Sequence, residues 1–552
     1  MSRKIIICFD GTCNDPKDAD QGENPDEKAQ DGSISNIFKL HLLLGGYAPS
    51  KKVETERQKN LEKQLQEQEN FYYQGVGTEG GKLKQLVNSG LALTDVKKII
   101  NNAADDLHKA QPSANDSIYI FGFSRGAAIA RKFAAKVNEL LKWRDPDAAE
   151  VKIRFLGVFE TVASIGLPNL KDNKKPVSDV VFEDRGLSEH VQEALHMLCL
   201  DDKRTAFMPT LFSYDPDRVT EVWFAGAHSD VGGGYRYDGL SDVTLQFLLN
   251  EITRRKIGLK YRMPVDIDYD TKECRQLKLT FDDMDMDPKP LGKSHEQDRS
   301  WLLKWTTCDR DMRVHSDDPE MRHKLPPPIV HFSVLERIFG DSDYRPVSMS
   351  EREIDGVKEN QIPHTIWRPD VEGSVVYNVE GTVEYKGIEE HLKNGPPAPK
   401  KLEVGESRLV TVYAHLKYNR SFVYANKGKG EVYSFSIEDD QVWYDSGIDC
   451  GPKGWKRSEE FPWYSGKGLA IHFMEDERRH PDAEWFEVVG TIGQKEQVPF
   501  RVYDDEQENL VNLNVNDRTG ELFFFANDLE DRYGNNFGFI QIRVKREADR
   551  AV

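Results

Sequence analysis

Residues 122–126 read Gly122-Phe123-Ser124-Arg125-Gly126, a G-x-S-x-G, and their surroundings constrain this chain more than any other feature. The run Ile118-Tyr119-Ile120-Phe121 before them is β-branched and aromatic. Ala127-Ala128-Ile129-Ala130-Arg131-Lys132-Phe133 after them is helix-forming. A strand that turns into a helix this sharply leaves no room for side chains at the flanks, hence glycine at 122 and 126. Such a turn lifts the serine hydroxyl above the strand end and aims the next helix's N-terminus at it. The bland alternative is a glycine-rich packing turn. The strand before and the helix after favour an exposed nucleophile.

The same alternation recurs. Residues 4–9 read as a buried parallel strand, followed by the loop Asp10-Gly11-Thr12-Cys13-Asn14. Residues 51–70, rich in Lys, Glu and Gln, read as an exposed helix or solvated insertion. Strands are expected near 71–73, 151–158 and 221–227, the elbow strand and its helix together over 117–142, and further helices over 93–110, 187–200 and 242–255. Ser241 and Asp242 offer caps to the last of these. Strand–loop–helix repeated this way predicts an α/β fold: a mostly parallel sheet with helices on both faces. Residues 256–345 are irregular and rich in Asp, Pro and Trp, a cap or a connector, so the first domain spans 1–345. A linker region is expected over 346–407, with a Pro-rich break at Gly395-Pro396-Pro397-Ala398-Pro399. Short β-branched and aromatic runs from 408 to 552 predict an all-β sandwich.

A serine hydroxyl needs a base within reach and a group that orients the base. In a parallel sheet the chemistry sits at the carboxyl ends of strands. Three such ends carry Ser124, Glu160 and His228, the chain order Ser…acid…His of α/β-hydrolases. Asp230 is the rival acid, two residues from the histidine. An oxyanion hole needs two backbone N–H donors. Arg125, after the serine, supplies one; Gly11 or Thr12 in the first strand's loop supplies the other. Asp10 shapes that loop. Phe9-Asp10-Gly11-Thr12 also fits part of a D-x-D-G-T phosphatase signature, but Cys8 stands where the nucleophilic aspartate belongs.

The net charge of −19 argues against nucleic acid as a partner. Six scattered cysteines without a C-x-x-C speak against zinc or a disulfide framework. The apolar run at the N-terminus is too short for a signal peptide, and no stretch is long enough to span a bilayer. The expectation is synthesis in the cytoplasm and, if the protein leaves, export without a cleaved leader.

Ile-Ile-Ile-Cys-Phe-Asp-Gly-Thr at 5–12, Gly-Val-Gly-Thr at 75–78, Gly-Phe-Ser-Arg-Gly-Ala at 122–127, Phe-Leu-Gly-Val-Phe-Glu-Thr-Val at 155–162 and His-Ser-Asp-Val-Gly-Gly-Gly-Tyr at 228–235 lie across the first domain. Together they resemble the phospholipase effectors of type VI secretion. The resemblance implies an α/β-hydrolase that cleaves fatty-acyl esters of glycerophospholipids, a phospholipase A type of activity. It also implies an antibacterial toxin that acts on target-cell membranes, with a secretion component and an immunity protein as partners. The family serine and histidine fall on Ser124 and His228. The family aspartate falls on Glu160, a departure of one methylene.

Asn527-Asp528-Leu529-Glu530-Asp531-Arg532-Tyr533-Gly534-Asn535-Asn536 packs oxygen donors into one loop, which suits calcium or simply a polar turn. With Tyr444-Asp445-Ser446-Gly447, this loop resembles the calcium-dependent galactose-binding bacterial lectins. That resemblance implies side-chain ligands at Asp528, Asn535 and Asn536, and backbone carbonyls at Tyr444 and Arg532. It also implies a glycan contact. Phe461-Pro462 stands where the lectins place a sugar-contacting His-Pro. The rival functions are an esterase of carbohydrates or soluble esters guided by the lectin-like module, and a glycan-binding protein on an inactive hydrolase scaffold.

Overall fold

The computed structural model describes residues 3–11, 33–46, 56–75, 91–163, 185–295, 307–321, 324–354, 357–360, 362–367, 384–386, 389, 392–393, 398–426, 430–437, 441–445, 448–461, 465–493, 499–502, 513–514, 519–530, 532–533 and 536–547. The chain divides into two units, Met1–Trp367 with Val383–Lys393, and Arg368–Thr382 with Asn394–Val552.

The first unit runs β1 (Lys4–Phe9), α1 (Asn36–Leu43), α2 (Glu56–Gln66), β2 (Gln68–Tyr73), α3 (Leu91–Lys109), β3 (Ser117–Phe123), α4 (Arg125–Arg144), β4 (Ile153–Phe159), β5 (Ala194–Cys199), β6 (Val219–Phe224), α5 (His228–Gly232), α6 (Gly239–Arg254), β7 (Ile329–His331), α7 (Phe332–Gly340), β8 (Pro363–Trp367) and β9 (Glu384–Lys386). The sheet order is β9-β8-β7-β6-β5-β4-β3-β1-β2, with β9 antiparallel and the other described neighbours parallel. This is an α/β fold. From β1 the chain steps outward to β2, then crosses to β3 on the other side. The carboxyl ends of β1 and β3 therefore flank a topological switch point, where open α/β sheets hold their ligands.

The continuous apolar run Lys4–Phe9 has a physical reason. Ile5, Ile7 and Phe9 join a core with Val96 and Ile100 of α3 and Ala127, Ile129 and Phe133 of α4. Ile6 and Cys8, on the other face, are equally buried. There α1 and α6 pack, tied by Asn36 Nδ2 donating to the Ser241 carbonyl at 2.9 Å. Ser35 caps α1 by accepting the Phe38 N–H at 3.1 Å.

Several expectations need correction. Residues 194–199 are β5, not part of a helix. Ala, Leu, Met and Cys favour helix locally, but pairing with β4 and β6 overrides that propensity. Helix α6 begins at Gly239, and Asp242 is no cap: it is fully buried, 3.0 Å from the equally buried Lys39 Nζ. Residues 346–407 are not a linker. β8 and β9 within them extend the large sheet, and Leu402 belongs to the second unit's core. Strands of five and three residues are too short to show a period. Residues 256–345 are not merely a cap or connector, since they supply β7 to the sheet.

The second unit is mostly β, not all-β as expected: short helices at Arg457–Glu460 and Gly466–Met474 accompany its two sheets. One sheet orders Ile448–Cys450, Trp443–Asp445, Asn536–Arg546, Val432–Ile437 and Leu513–Asn514, with Ser407–Tyr413 also paired to Asn536–Arg546. The other orders Asn419–Ala425, Gly520–Ala526, Trp485–Ile492 and Lys453–Trp455, with Phe500–Arg501 on Trp485–Ile492. Val410, Phe435 and Ile542 of the first share one core with Val488, Leu522 and Phe524 of the second. Asn419–Ala425 alternates buried and half-buried positions, as a strand with one face on the core does, whereas Trp485–Ile492 is buried at every position.

Candidate active site

Ser124 sits between β3 and α4 with φ +57° and ψ −122°, a strained backbone for a residue with a Cβ. The glycines permit it. A Cβ on Gly122 would lie 2.7 Å from the Ala127 backbone. One on Gly126 would lie 2.3 Å from the carbonyl oxygens of both Phe9 and Asp10. Those oxygens belong to backbone and cannot rotate aside. Gly126→Ala is expected to destabilise the first unit by about 3 kcal/mol, read as a lowered urea midpoint. An unchanged midpoint would mean that α4 does not press on the end of β1.

The residues after β4 clasp the elbow. Ser124 N–H donates to the Phe159 carbonyl at 3.0 Å, and Val162 N–H donates to the Ser124 carbonyl at 3.1 Å. Thr161 N–H donates to Nε2 of the fully buried His196 at 3.1 Å, and His196 Nδ1 meets Glu221 at 2.8 Å. Glu160 lies inside this clasp with φ +45°.

His228 opens α5. Its Nε2 lies 2.9 Å from Ser124 Oγ, and its Nδ1 lies 3.0 Å from Glu160 Oε2. The structure thus brings Ser124, His228 and Glu160 into one hydrogen-bonded chain. All three are buried. The Phe123 and Phe207 rings pack on the imidazole, each with its centroid at 4.8 Å. Burial holds His228 below the ordinary histidine range, against the raising pull of Glu160. The ring is therefore neutral near pH 7, as a proton acceptor must be.

The Glu160 carboxylate is fully engaged. Oε1 accepts the Cys199 N–H at 2.7 Å, and Oε2 accepts Arg310 Nη2 at 3.0 Å besides the histidine. Burial works to raise its pKa, but Arg310 and these donors outweigh that and leave it below the usual carboxylate value. Asp202, bound by Arg204 at 3.0 Å through Nε, accepts the His228 N–H at 3.3 Å. Sequence reasoning missed Arg310 and gave Asp202 no role. No periodicity marks either one.

Asp230, the rival acid, turns away from His228. Its Oδ2 accepts the Ala227 N–H at 2.8 Å and its Oδ1 meets His295 Nδ1 at 2.6 Å. Gly11, a proposed oxyanion donor, sits beside the elbow, yet its N–H donates to Asp10 Oδ1 at 2.6 Å. Asp10 Oδ2 takes the hydroxyls of Ser35 and Tyr72, each at 2.6 Å. Arg125 is the first residue of α4, so its amide opens that helix. Thr12 lies outside the described residues.

In the second unit, Asp528 and Asn536 come together: Asn536 Nδ2 donates to Asp528 Oδ2 at 2.9 Å. Asn536 Oδ1 is buried without a partner among the described residues. Asp445 pairs across the sheet with Asn536, and Tyr444 with Phe537. Burial, then the charge of Asp528, pushes the Asp445 carboxyl well above its usual range. Converging carboxylates and an orphaned amide oxygen fit a hard cation that takes oxygen donors. Arg532 N–H donates to the Leu529 carbonyl at 3.1 Å within the same loop. Asn535 lies outside the described residues.

A doubly wound sheet with an elbow serine at its switch point defines the class, an α/β-hydrolase-like domain. Residues 3–142 and 136–251 match the family described as T6SS, Phospholipase effector Tle1-like, catalytic domain. Over this region the chain is similar to the catalytic domain of the type VI secretion phospholipase effectors. The chain is also similar to an uncharacterized protein of Saccharomyces cerevisiae, 26% identical over 264 residues that make up 39% of this chain and 33% of that one. Among solved structures it is similar to a Tle1 effector bound to the VgrG spike of the type 6 secretion system. There the identity is 22%, the TM-score 0.26, and the coverage 43% of this chain and 51% of that one. An uncharacterized protein from Pseudomonas aeruginosa is 20% identical at a TM-score of 0.29, covering 50% and 49% of the two chains. The chain thus spans about a third of the curated relative and about half of each solved structure. Among the described residues no helix is long and apolar enough to cross a membrane.

Proposed function

We propose that this protein is a serine esterase that hydrolyses fatty-acyl esters of glycerophospholipids, delivered as an antibacterial type VI effector. The observation that carries the reading is the Ser124–His228–Glu160 chain at the switch point. His228 takes the Ser124 proton as the oxygen attacks the acyl carbonyl. The Arg125 amide, at the helix N-terminus, meets the developing oxyanion. Since Asp10 holds the Gly11 amide, the second donor in this reading is Thr12. The protonated histidine then passes its proton to the departing lysolipid oxygen, and water clears the acyl-enzyme by the reverse sequence. Glu160 fixes the tautomer with the proton on Nδ1.

The family match supports a secretion component as carrier, while an immunity protein in the producing cell rests on the resemblance alone. Phospholipid vesicles, acetylated glycans and short p-nitrophenyl esters, offered side by side, separate the lipid reading from its esterase rivals. Faster turnover of the glycan esters would defeat it.

The second unit, in this reading, binds calcium. Asp528, Asn535 and Asn536 would hold it through side chains, and Tyr444 and Arg532 through carbonyls. The orphaned Asn536 oxygen is the supporting observation. Such an ion would neutralise the Asp528 charge and tie the loop to the sheet; a glycan contact rests on the lectin resemblance alone. Chelation is expected to lower the second unit's melting temperature by several degrees, and Asp528→Ala to remove the calcium response. Identical melting curves with calcium and with chelator would refute the metal site.

A further inference from the structure

Arg310 lies in the segment whose sequence shows no period. Cys308 N–H donates to the Lys203 carbonyl at 2.8 Å, and Thr307 bridges Arg204. These bonds staple the segment to the loop after β5 and place Arg310 behind Glu160. Its guanidinium is fully buried. Nη2 lies 3.0 Å from Glu160 Oε2, the same oxygen that His228 Nδ1 meets, and 3.2 Å from Cys199 Sγ. A buried cation on that oxygen is not needed to hold the β5 loop, which has backbone bonds for that.

Resting on the serine-esterase reading above, we infer that Arg310 is a positioning residue of the Ser124–His228–Glu160 chain: its guanidinium pins the Glu160 carboxylate toward the imidazole and balances its buried charge. Among the described residues, the groups around the His228–Glu160 pair are Arg310, Arg204, Asp202, Cys199 and Cys308. Burial raises the Cys199 thiol, so it stays neutral. Two cations then face two carboxylates around an uncharged imidazole. Any proton added to the pair makes the cluster net positive. Whichever member holds that proton, removing a cation 3.0 Å from the carboxylate raises the pair's proton affinity. The acid limb of activity must therefore move to higher pH without Arg310. A purely structural arginine would lower the rate equally at every pH.

The test reads two quantities in the full chain. One is the acid limb of kcat/KM on phospholipid vesicles. The other is the titration of the His228 imidazole by NMR of histidine-labelled protein, assigned by its loss in His228→Gln. In Arg310→Met both are expected to rise by about one pH unit or more, and in Arg310→Lys by less than about half a unit. Arg310→Gln, which keeps polarity without charge, carries the Met expectation if the Met variant does not fold. In the wild type the imidazole is expected to titrate below 6.5. Titration above that value, or charge-removing variants whose limb and imidazole stay at wild-type pH, overturns the inference. The imidazole titration needs no substrate. If Ser124→Ala keeps full lipid hydrolysis while the titration shifts as described, the esterase reading falls and the electrostatic role of Arg310 stands.

Discussion

Ser124→Ala is expected to lower phospholipid hydrolysis by roughly 10⁴- to 10⁶-fold while the protein melts within a few degrees of wild type. The loss is large because no other described hydroxyl shares a hydrogen bond with His228 Nε2. The stability change is small because alanine meets the same backbone strain at φ +57° that serine does. The deleted hydroxyl leaves one ring nitrogen short of one bond, a modest cost. Lipid products are followed by mass spectrometry beside a melting curve of each protein. Wild-type rates in the variant would end the esterase proposal, and a collapsed melting curve would make the elbow serine a structural residue.

The second large effect is expected at Glu160. Glu160→Gln puts an amide where three donors converge: the Cys199 N–H, the His228 Nδ1–H and Arg310 Nη2. An amide has one oxygen, so in either orientation its NH₂ faces a donor. It also strands the Arg310 charge in the interior. Turnover is expected to fall by about 10⁴-fold, as when a triad acid loses its charge. Stability is expected to fall by about 3–5 kcal/mol, the usual cost of breaking a buried pair. The sign with pH follows from Glu160's depressed pKa. Its stabilisation is complete above the unfolded carboxyl's 4.5 and disappears as pH falls through the lower folded value. Wild type and variant should therefore differ fully in urea stability at neutral pH and converge in acid. Glu160→Asp keeps the charge on a shorter arm and should lose less on both counts. Equal urea midpoints for wild type and Glu160→Gln at pH 7 would contradict the buried ion pair.

Much of this site was legible in the sequence, for a physical reason. Parallel strands are buried on both faces and read as unbroken apolar runs, so their carboxyl ends can be found by eye. Ser124, Glu160 and His228 each follow such a run directly. β5 hid because its residues favour a helix when taken alone, and only its neighbours hold it extended. Asp230 was legible as a nearby acid but not as the partner of His295, a pairing across 65 residues. Gly11 was legible as a glycine in the loop after the first strand, whereas the direction of its N–H depends on the Asp10 side chain. Arg310 had no signal at all. A lone arginine in an aperiodic stretch acquires meaning only through what the fold sets opposite it.

That placement bears on how the protein can be trimmed. The family match ends at residue 251, and an excised fragment stopping there retains Ser124, Glu160 and His228. It would discard the counter-cation of the glutamate and also β7, the neighbour of β6 in the sheet. A shortened chain must reach past residue 331 to keep both, or its Ser124–His228–Glu160 chain loses the support behind the glutamate.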